Sequence, residues 1–205
     1  MKIIIASGNK NKIREIQQVL SKLSYDVVSI KEVYPDAIDV DETGDTYEEN
    51  AILKLAHLPL HKDYIYLSDD SGLSIDALDG EPGVKSARYA GPGATYKDLC
   101  NKVLGNLGDT TNRSAQFVSV IALKFPDGTI KTVQGCVKGT ITTKIHLGNS
   151  FGYDPIFMPD GYSQTFSELD PIVKNRISHR GVALGAVKQS LKRRRAPHEE
   201  LSGEA

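Results

Sequence analysis

The stretch YIYLSDDSGLSID, Tyr64 to Asp76, begins as an apolar strand and then sets two carboxylates, a hydroxyl and a glycine side by side. Tyr64 to Ser68 carries the aromatic and branched side chains of a buried strand. Asp-Ser-Gly is good turn chemistry, so the residues alone read as a strand that ends at Ser68 and runs into an acidic turn. In an open α/β sheet, polar groups at strand ends face the crevice where ligands bind, which makes Asp69 and Asp70 candidate site residues. Strand side chains alternate between faces. Two adjacent aspartates therefore reach one ligand only if the chain has already turned, and one of them is expected to be structural.

Working outward, Lys2 to Ala6 reads as a short buried strand. After Ser-Gly-Asn comes a helix with Ile13, Ile16, Leu20 and Leu23 on one face and Asn9 as its N-cap. Asp26 to Ile30 is a second strand, and Thr46 to Ala56 is helical in pattern and must close by Pro59. Gln116 to Phe125, a Pro-Asp-Gly turn, and Thr129 to Val137 form a hairpin signal, so half the sheet is expected to be antiparallel. A last helix starts near Ser178, turns Ala183, Val187 and Leu191 inward, and ends in the solvated run Lys192 to Arg195. No repeat or linker divides the 205 residues. A single domain over residues 1–195 is expected, with 196–205 as a flexible tail.

Composition narrows the function classes. With 25 Lys+Arg against 26 Asp+Glu the formal net charge is -1, so no global field recruits nucleic acid or an anionic membrane, and any phosphate binding must be local. The apolar run Ile3 to Ala6 is too short for a signal segment, and no later run approaches membrane-spanning length. A cytoplasmic protein is expected. Cys100 and Cys136 form neither a CxxC pair nor a disulfide framework and read as reduced bystanders.

Upstream of the two aspartates lies DVDETGDTYEEN, Asp39 to Asn50, a second acidic cluster. Two oxygen-rich clusters without histidine or cysteine partners suit a hard cation such as Mg²⁺ and disfavour zinc. Glu48 and Glu49 read as a solvated first helical turn, favourable to the helix dipole, which leaves Glu42 as the better ligand candidate. The loop ASGNKNK supplies the opposite charge. Ser7, Gly8 and Asn9 lie between a buried strand and a helix N-terminus, where free N–H groups make an anion site, with Lys10 and Lys12 beside it; a structural cap is the alternative. It is not a Walker A loop, which needs GxxxxGK[ST]. SARYAG, FGYDPIF and KNRISHRG pack aromatic and basic residues with glycines, a composition unlike core, although a lone Phe151 is core by default and a lone His179 a satisfied histidine.

SGNKNK, DETGDTYEENAILK, SDDSGLSIDALDGEPGVKSARYAG, FGYDPIF and KNRISHRGVAL, in this order, resemble the inosine triphosphate pyrophosphatase family, also called Ham1-like, over Lys2 to about Leu191. The resemblance implies an elongated, two-lobed α/β fold with a long twisted mixed sheet flanked by helices, a nucleotide cleft, a Mg²⁺ requirement and a homodimer. It also implies hydrolysis of a purine nucleoside triphosphate (dITP, ITP or XTP) to the monophosphate and pyrophosphate. Carried over residue by residue, Ser7, Gly8, Asn9, Lys10, Asn11 and Lys12 fall on the triphosphate, with Lys54 as a further phosphate-side lysine. Glu42 and Asp70 fall on the metal, and Asp70 is also the proton acceptor. Ser71 is a substrate contact, Phe151, Gly152, Tyr153 and Asp154 surround the base, and Lys174, His179 and Arg180 are further nucleotide contacts, Arg180 being expected to meet the 6-oxo group. Two departures are Asp170-Pro171-Ile172-Val173, where an acidic stretch usually precedes Lys174, and Ser7, where threonine is common. A Maf-like pyrophosphatase is opposed by KNRISHRG and FGYDPIF. A nucleic-acid module built on Lys192 to Arg195 is opposed by the ordinary reading of such a run as a solvated helix face.

Overall fold

The computed structural model describes residues 1–37, 40–148 and 151–199; Asp39 of the acidic cluster and residues 200–205 of the expected tail lie outside the described residues. Among these, β1 (Lys2–Ile5), β2 (Asp26–Ser29), β3 (Tyr64–Ile75), β4 (Ser114–Lys124), β5 (Ile130–Ile141) and β6 (Phe157–Pro159) form one sheet in the order β2-β1-β3-β4-β5-β6. The β2-β1-β3 edge is parallel and β3-β4-β5-β6 is antiparallel. The antiparallel part that the hairpin signal implied is more than the expected half of the sheet, since three of the five strand pairings are antiparallel.

The acidic turn expected after Ser68 does not exist. β3 runs straight through Asp69, Asp70, Ser71 and Gly72, pairing with β4 from Tyr66 opposite Lys124 to Ile75 opposite Ala115. A ladder of this length satisfies backbone groups that a local turn would leave to side chains and water, and the long-range partner overrides the turn chemistry. Gly72 is required for space instead. A Cβ there would lie 2.4 Å from the Gly83 carbonyl oxygen and 2.5 Å from Ser86 Oγ, so a segment of 3₁₀ helix, Gly83–Arg88, rests directly on the strand.

Helices cover both faces: α1 (Lys10–Leu20), α2 (Ile30–Val33), α3 (Tyr47–Ala56), α4 (Tyr96–Leu107), α5 (Pro171–Ile177) and α6 (His179–Glu199). Ile65 and Leu67 of β3 pack with Ile16 and Leu20 of α1 and with Ala183, Leu184, Val187 and Leu191 of α6. Tyr66 packs on the other face with Ala51 and Leu55 of α3. Farther along the same strand, Leu73 and Ile75 join Leu99, Val103 and Leu107 of α4 and the aromatic residues Tyr153, Phe157 and Phe166. The long strands β3 and β4 thus carry packed clusters on both faces at one end, a third cluster at the other, and the polar residues between them.

Local signals explain most boundaries. Asn9 caps α1 as expected, its Oδ1 accepting from the N–H groups of Asn11 at 3.0 Å and Lys12 at 3.2 Å. Thr46 and Glu49 form a capping box on α3, which accounts for Glu49. α1 ends at Leu20, and Leu23 reaches the same cluster from the following loop. α6 presents Ala183, Val187 and Leu191 inward and continues beyond Pro197 to Glu199. No described helix is long and apolar enough to cross a membrane.

Gly72→Ala is expected to destabilise the chain by about 1–3 kcal/mol through overpacking, lowering Tm by roughly 3–10 °C for a chain of this size. A thermal melt indistinguishable from the parent would show that the 83–88 segment gives way freely.

Candidate active site

Strand alternation survives the loss of the turn, so Asp69 and Asp70 point to opposite faces of the sheet. Asp69 is fully buried on the α1–α6 side. Its Oδ2 lies 2.9 Å from Lys12 Nζ and 3.2 Å from Arg180 Nη2, and Ser119 Oγ of β4 donates to Oδ1. Asp70, on the α3 side, receives Lys54 Nζ at 2.9 Å on Oδ1, while its buried Oδ2 has no partner among the described residues. Lys54 also meets Glu42 Oε1 at 2.7 Å.

These surroundings split the two acids. Burial alone would push Asp69 up, but Arg180 and Lys12 outweigh it and hold the carboxyl well below 3.8. Asp70 is pushed up from 3.8 by burial, with Glu42 adding to the rise and Lys54 and Lys12 offsetting only part of it. Adjacent carboxylates with opposed shifts are a common basis for separating a fixed charge from a proton acceptor. Of the expected pair, Asp69 is the structural one and Asp70 the more basic.

Two recesses meet here. One, of about 430 Å³, is lined by Ser7, Gly8, Asn9, Lys12, Glu42 and Lys54. The other, of about 300 Å³, is lined by Asp70, Ser71, Phe151, Gly152, Tyr153, Asp154, His179 and Arg180. Both include Asn9, Lys12 and Glu42, so they form one continuous cleft with a cationic end and an aromatic end. α6 enters this cleft because it begins hard against β5: a Cβ on Gly135 would lie 2.1 Å from the His179 carbonyl oxygen.

At the aromatic end the His179 ring stacks on Phe117 with centroids 4.6 Å apart. Burial, reinforced by Arg180, lowers His179 well below 6.5, so the imidazole is neutral. Arg180 is 2% exposed; it donates to Glu15 Oε2, Asp69 and Ser71 Oγ, and its Nε has no described partner. Its charge is therefore already matched inside the protein, and Nε is the one guanidinium nitrogen with no described partner. Asp154 is raised to about 6 by burial even though Lys174 sits against it.

Three sequence-based candidates fall outside this cleft. Lys10 is exposed and lines neither recess. Asn11 and Lys174 line a neighbouring recess with Glu15, Phe151 and Asp154, where Lys174 Nζ is held by Asp154 and by Glu15 at 2.8 Å. Phe151 lines both, with Lys174 Nζ 5.0 Å and the Arg180 guanidinium 5.8 Å from its ring centre. Glu15 was not singled out in the sequence. It joins Lys174 to Arg180 from the middle of α1, where an acidic residue reads as a solvated helix face, and its partners lie far away in the chain. Ser119 was missed for the same reason.

Glu42 and Asp70 converge on Lys54, the half-exposed Arg88 lies 3.7 Å from the other Glu42 carboxylate oxygen, and Asp70 keeps a free carboxylate oxygen. This arrangement fits a hard divalent ion such as Mg²⁺, which takes one or two carboxylates and completes its shell with water and substrate phosphates. Among the described residues no group of three or more His, Cys, Asp or Glu could hold a metal unaided.

A strand–loop–helix cradle, half-buried lysines, a split acid pair and an aromatic recess thus share one cleft on a mixed α/β sheet. The chain belongs to the Ham1 family, whose sequence profile matches residues 3–190. A dITP/XTP pyrophosphatase from Exiguobacterium sp. is 44% identical over 184 residues, covering 90% of this chain and 93% of that one. Another, from Leuconostoc mesenteroides, is 48% identical over 192 residues, covering 90% and 93%. The solved structure of the Staphylococcus aureus Ham1 protein matches with a TM-score of 0.83 at 42% identity, covering 94% of this chain and 98% of that one. The family and the α/β fold implied by the motifs are borne out.

Asp69→Asn leaves Lys12 and Arg180 without their shared carboxylate and is expected to cost about 3–5 kcal/mol, read by urea denaturation at pH 7. Because the folded pKa of Asp69 is depressed, its contribution is in full above 3.8 and is lost as pH falls through the folded value. The gap between parent and variant should therefore narrow in strong acid. A gap that is already absent at pH 7 would remove Asp69 from the network.

Proposed function

We propose that this chain hydrolyses the α–β phosphoanhydride of nucleoside triphosphates bearing deaminated purines (dITP, ITP and XTP), releasing the monophosphate and pyrophosphate. The observation that carries this reading is the single cleft whose aromatic recess is lined by Asp70 and whose other recess is lined by Lys12 and by Lys54, the ion-pair partner of Asp70. The naming of the Exiguobacterium and Leuconostoc relatives as dITP/XTP pyrophosphatases supports it.

In this reading the triphosphate lies along Ser7, Gly8, Asn9 and Lys12, with Lys54 on the same side. Asp70, the acid whose basicity is raised, takes the proton of the attacking water. Lys12 and Lys54 oppose the charge that grows on the departing pyrophosphate. Mg²⁺ held by Glu42 and Asp70 would add charge neutralisation on the phosphate oxygens. Phe151, Gly152, Tyr153 and Asp154 enclose the base, while Arg180 and His179 line the same recess, each with one buried nitrogen that has no described partner. A 6-oxo group accepts from the guanidinium; the 6-amino group of adenine offers a donor to a donor, a mismatch that can reach about 10⁴ in discrimination. Lys174 acts on the base side through Asp154. Lys10 and Asn11 have the weakest support as phosphate contacts.

A homodimer and a cytoplasmic location belong to the same reading, with neither nucleic acid nor membrane as partner. The basic run at the end of α6 is partly engaged within the protein, since Arg194 pairs with Asp127 at 3.1 Å and lies 3.8 Å from the Phe125 ring centre.

Pyrophosphate release from ITP, XTP, dITP, GTP, ATP and dUTP, with and without Mg²⁺, tests reaction and substrate together. Rapid metal-dependent turnover of the first three, with the others slow, is expected; equal rates on ATP would sink the base assignment. Asp70→Asn should lower kcat by at least about 10², the usual scale for loss of a general base. Near-parental turnover would move proton acceptance elsewhere.

A further inference from the structure

Lys54 is bound from three sides. Its Nζ lies 2.7 Å from Glu42 Oε1, 2.9 Å from Asp70 Oδ1 and 3.0 Å from the backbone carbonyl oxygen of Asp69. An ammonium has three donors and no acceptor, so these three oxygens use its full capacity. The Lys54 side chain is 13% exposed, and Glu42 reaches it from a separate loop. The two carboxylates are the same pair assigned above to the divalent ion.

We propose that Lys54 is the resident counter-cation of the Glu42–Asp70 pair, exchanged for the divalent ion only when a nucleotide arrives, so that the metal enters as its triphosphate complex and not as the free ion. This inference rests on the assignment of Glu42 and Asp70 to the metal.

The reasoning is one of competition for the same oxygens. A free Mg²⁺ ion dehydrates reluctantly and is rarely held by two carboxylates alone. Here it must also displace an ammonium from both of them and leave that charge nearby in a low-dielectric setting. A metal–triphosphate complex changes both terms. The phosphates supply several of the metal's ligands, and they give Lys54 new anionic partners in the adjoining recess, which Lys54 already lines. Lys54 then passes from the carboxylates to the phosphates without losing its charge pairing. Lys12 is a built-in comparison. It carries the same charge in the same cleft, but its ion pair is with Asp69, on the opposite face of β3.

The test uses Mn²⁺ as the probe, titrated into the full chain without nucleotide and counted by electron paramagnetic resonance. Lys54→Met is expected to bind Mn²⁺ at least about tenfold more tightly than the parent, equivalent to ~1.4 kcal/mol. Lys54→Arg, which keeps the charge, should stay close to the parent. Lys12→Met should gain less than about threefold. Adding Glu42→Gln to Lys54→Met should abolish the gain. The inference is overturned if Lys54→Met gains nothing, or if Lys12→Met gains as much, since the effect would then be a general field. If that happens while parental pyrophosphate release still requires Mg²⁺, the functional reading stands without the exchange. A gain that survives Glu42→Gln puts the ion elsewhere and overturns both the exchange and the metal assignment.

Discussion

Asp69 is a carboxylate buried in the middle of a sheet, and an isolated charge in that position would cost several kcal/mol. The chain meets this cost by bringing cations from two distant helices to it: Lys12 from α1 and Arg180 from α6. Ser119 of the neighbouring strand takes the remaining oxygen. Glu15 then balances the second edge of the Arg180 guanidinium and extends the network to Lys174 and Asp154. Residues from the beginning, middle and end of the chain are held in one place because each closes a charge that another opens. Replacing such a network by apolar residues is often neutral for stability. Here it orients the loop after β1 and the start of α6, which form two walls of the cleft.

The neighbouring residue shows what the pleat adds. One step along β3 the side chain crosses to the other face, and Asp70 meets Lys54 and Glu42 in place of Arg180 and Lys12. The same residue type, adjacent in the chain, is held ionised on one side and made more basic on the other. A turn at this point would have sent both carboxylates in variable directions, whereas an extended strand in full register with β4 fixes them back to back. Gly72 and Gly135 complete the arrangement by letting backbone approach backbone, so that the 83–88 segment and the start of α6 close down on the strands.

Much was legible in the sequence. The period of apolar residues located β1, α1, α3, the β4–β5 hairpin and α6, and the Asn9 cap marked the start of α1, because these depend on neighbours within a few residues. Ordered motifs indicated the family, and most of the candidate residues, Ser7, Glu42, Lys54, Asp70, Phe151 and His179 among them, do line one cleft. The residue types also indicated a cationic region beside an acidic one.

Tertiary structure decided what neighbours in sequence cannot. Whether Asp-Asp-Ser-Gly bends or extends depended on β4, some fifty residues later, whose ladder outweighs local turn chemistry. That Arg180 is held by Glu15, Asp69 and Ser71, with Nε left unpartnered, depended on α1 and β3 converging on α6. Glu15 and Ser119 carried no local signal, since an acid on a helix and a serine in a strand look solvated until the partner appears. Local sequence sets periodicity and caps because those energies act over a few residues; the pairing of buried charges is set by the fold because the interacting groups come within reach only when the chain has closed.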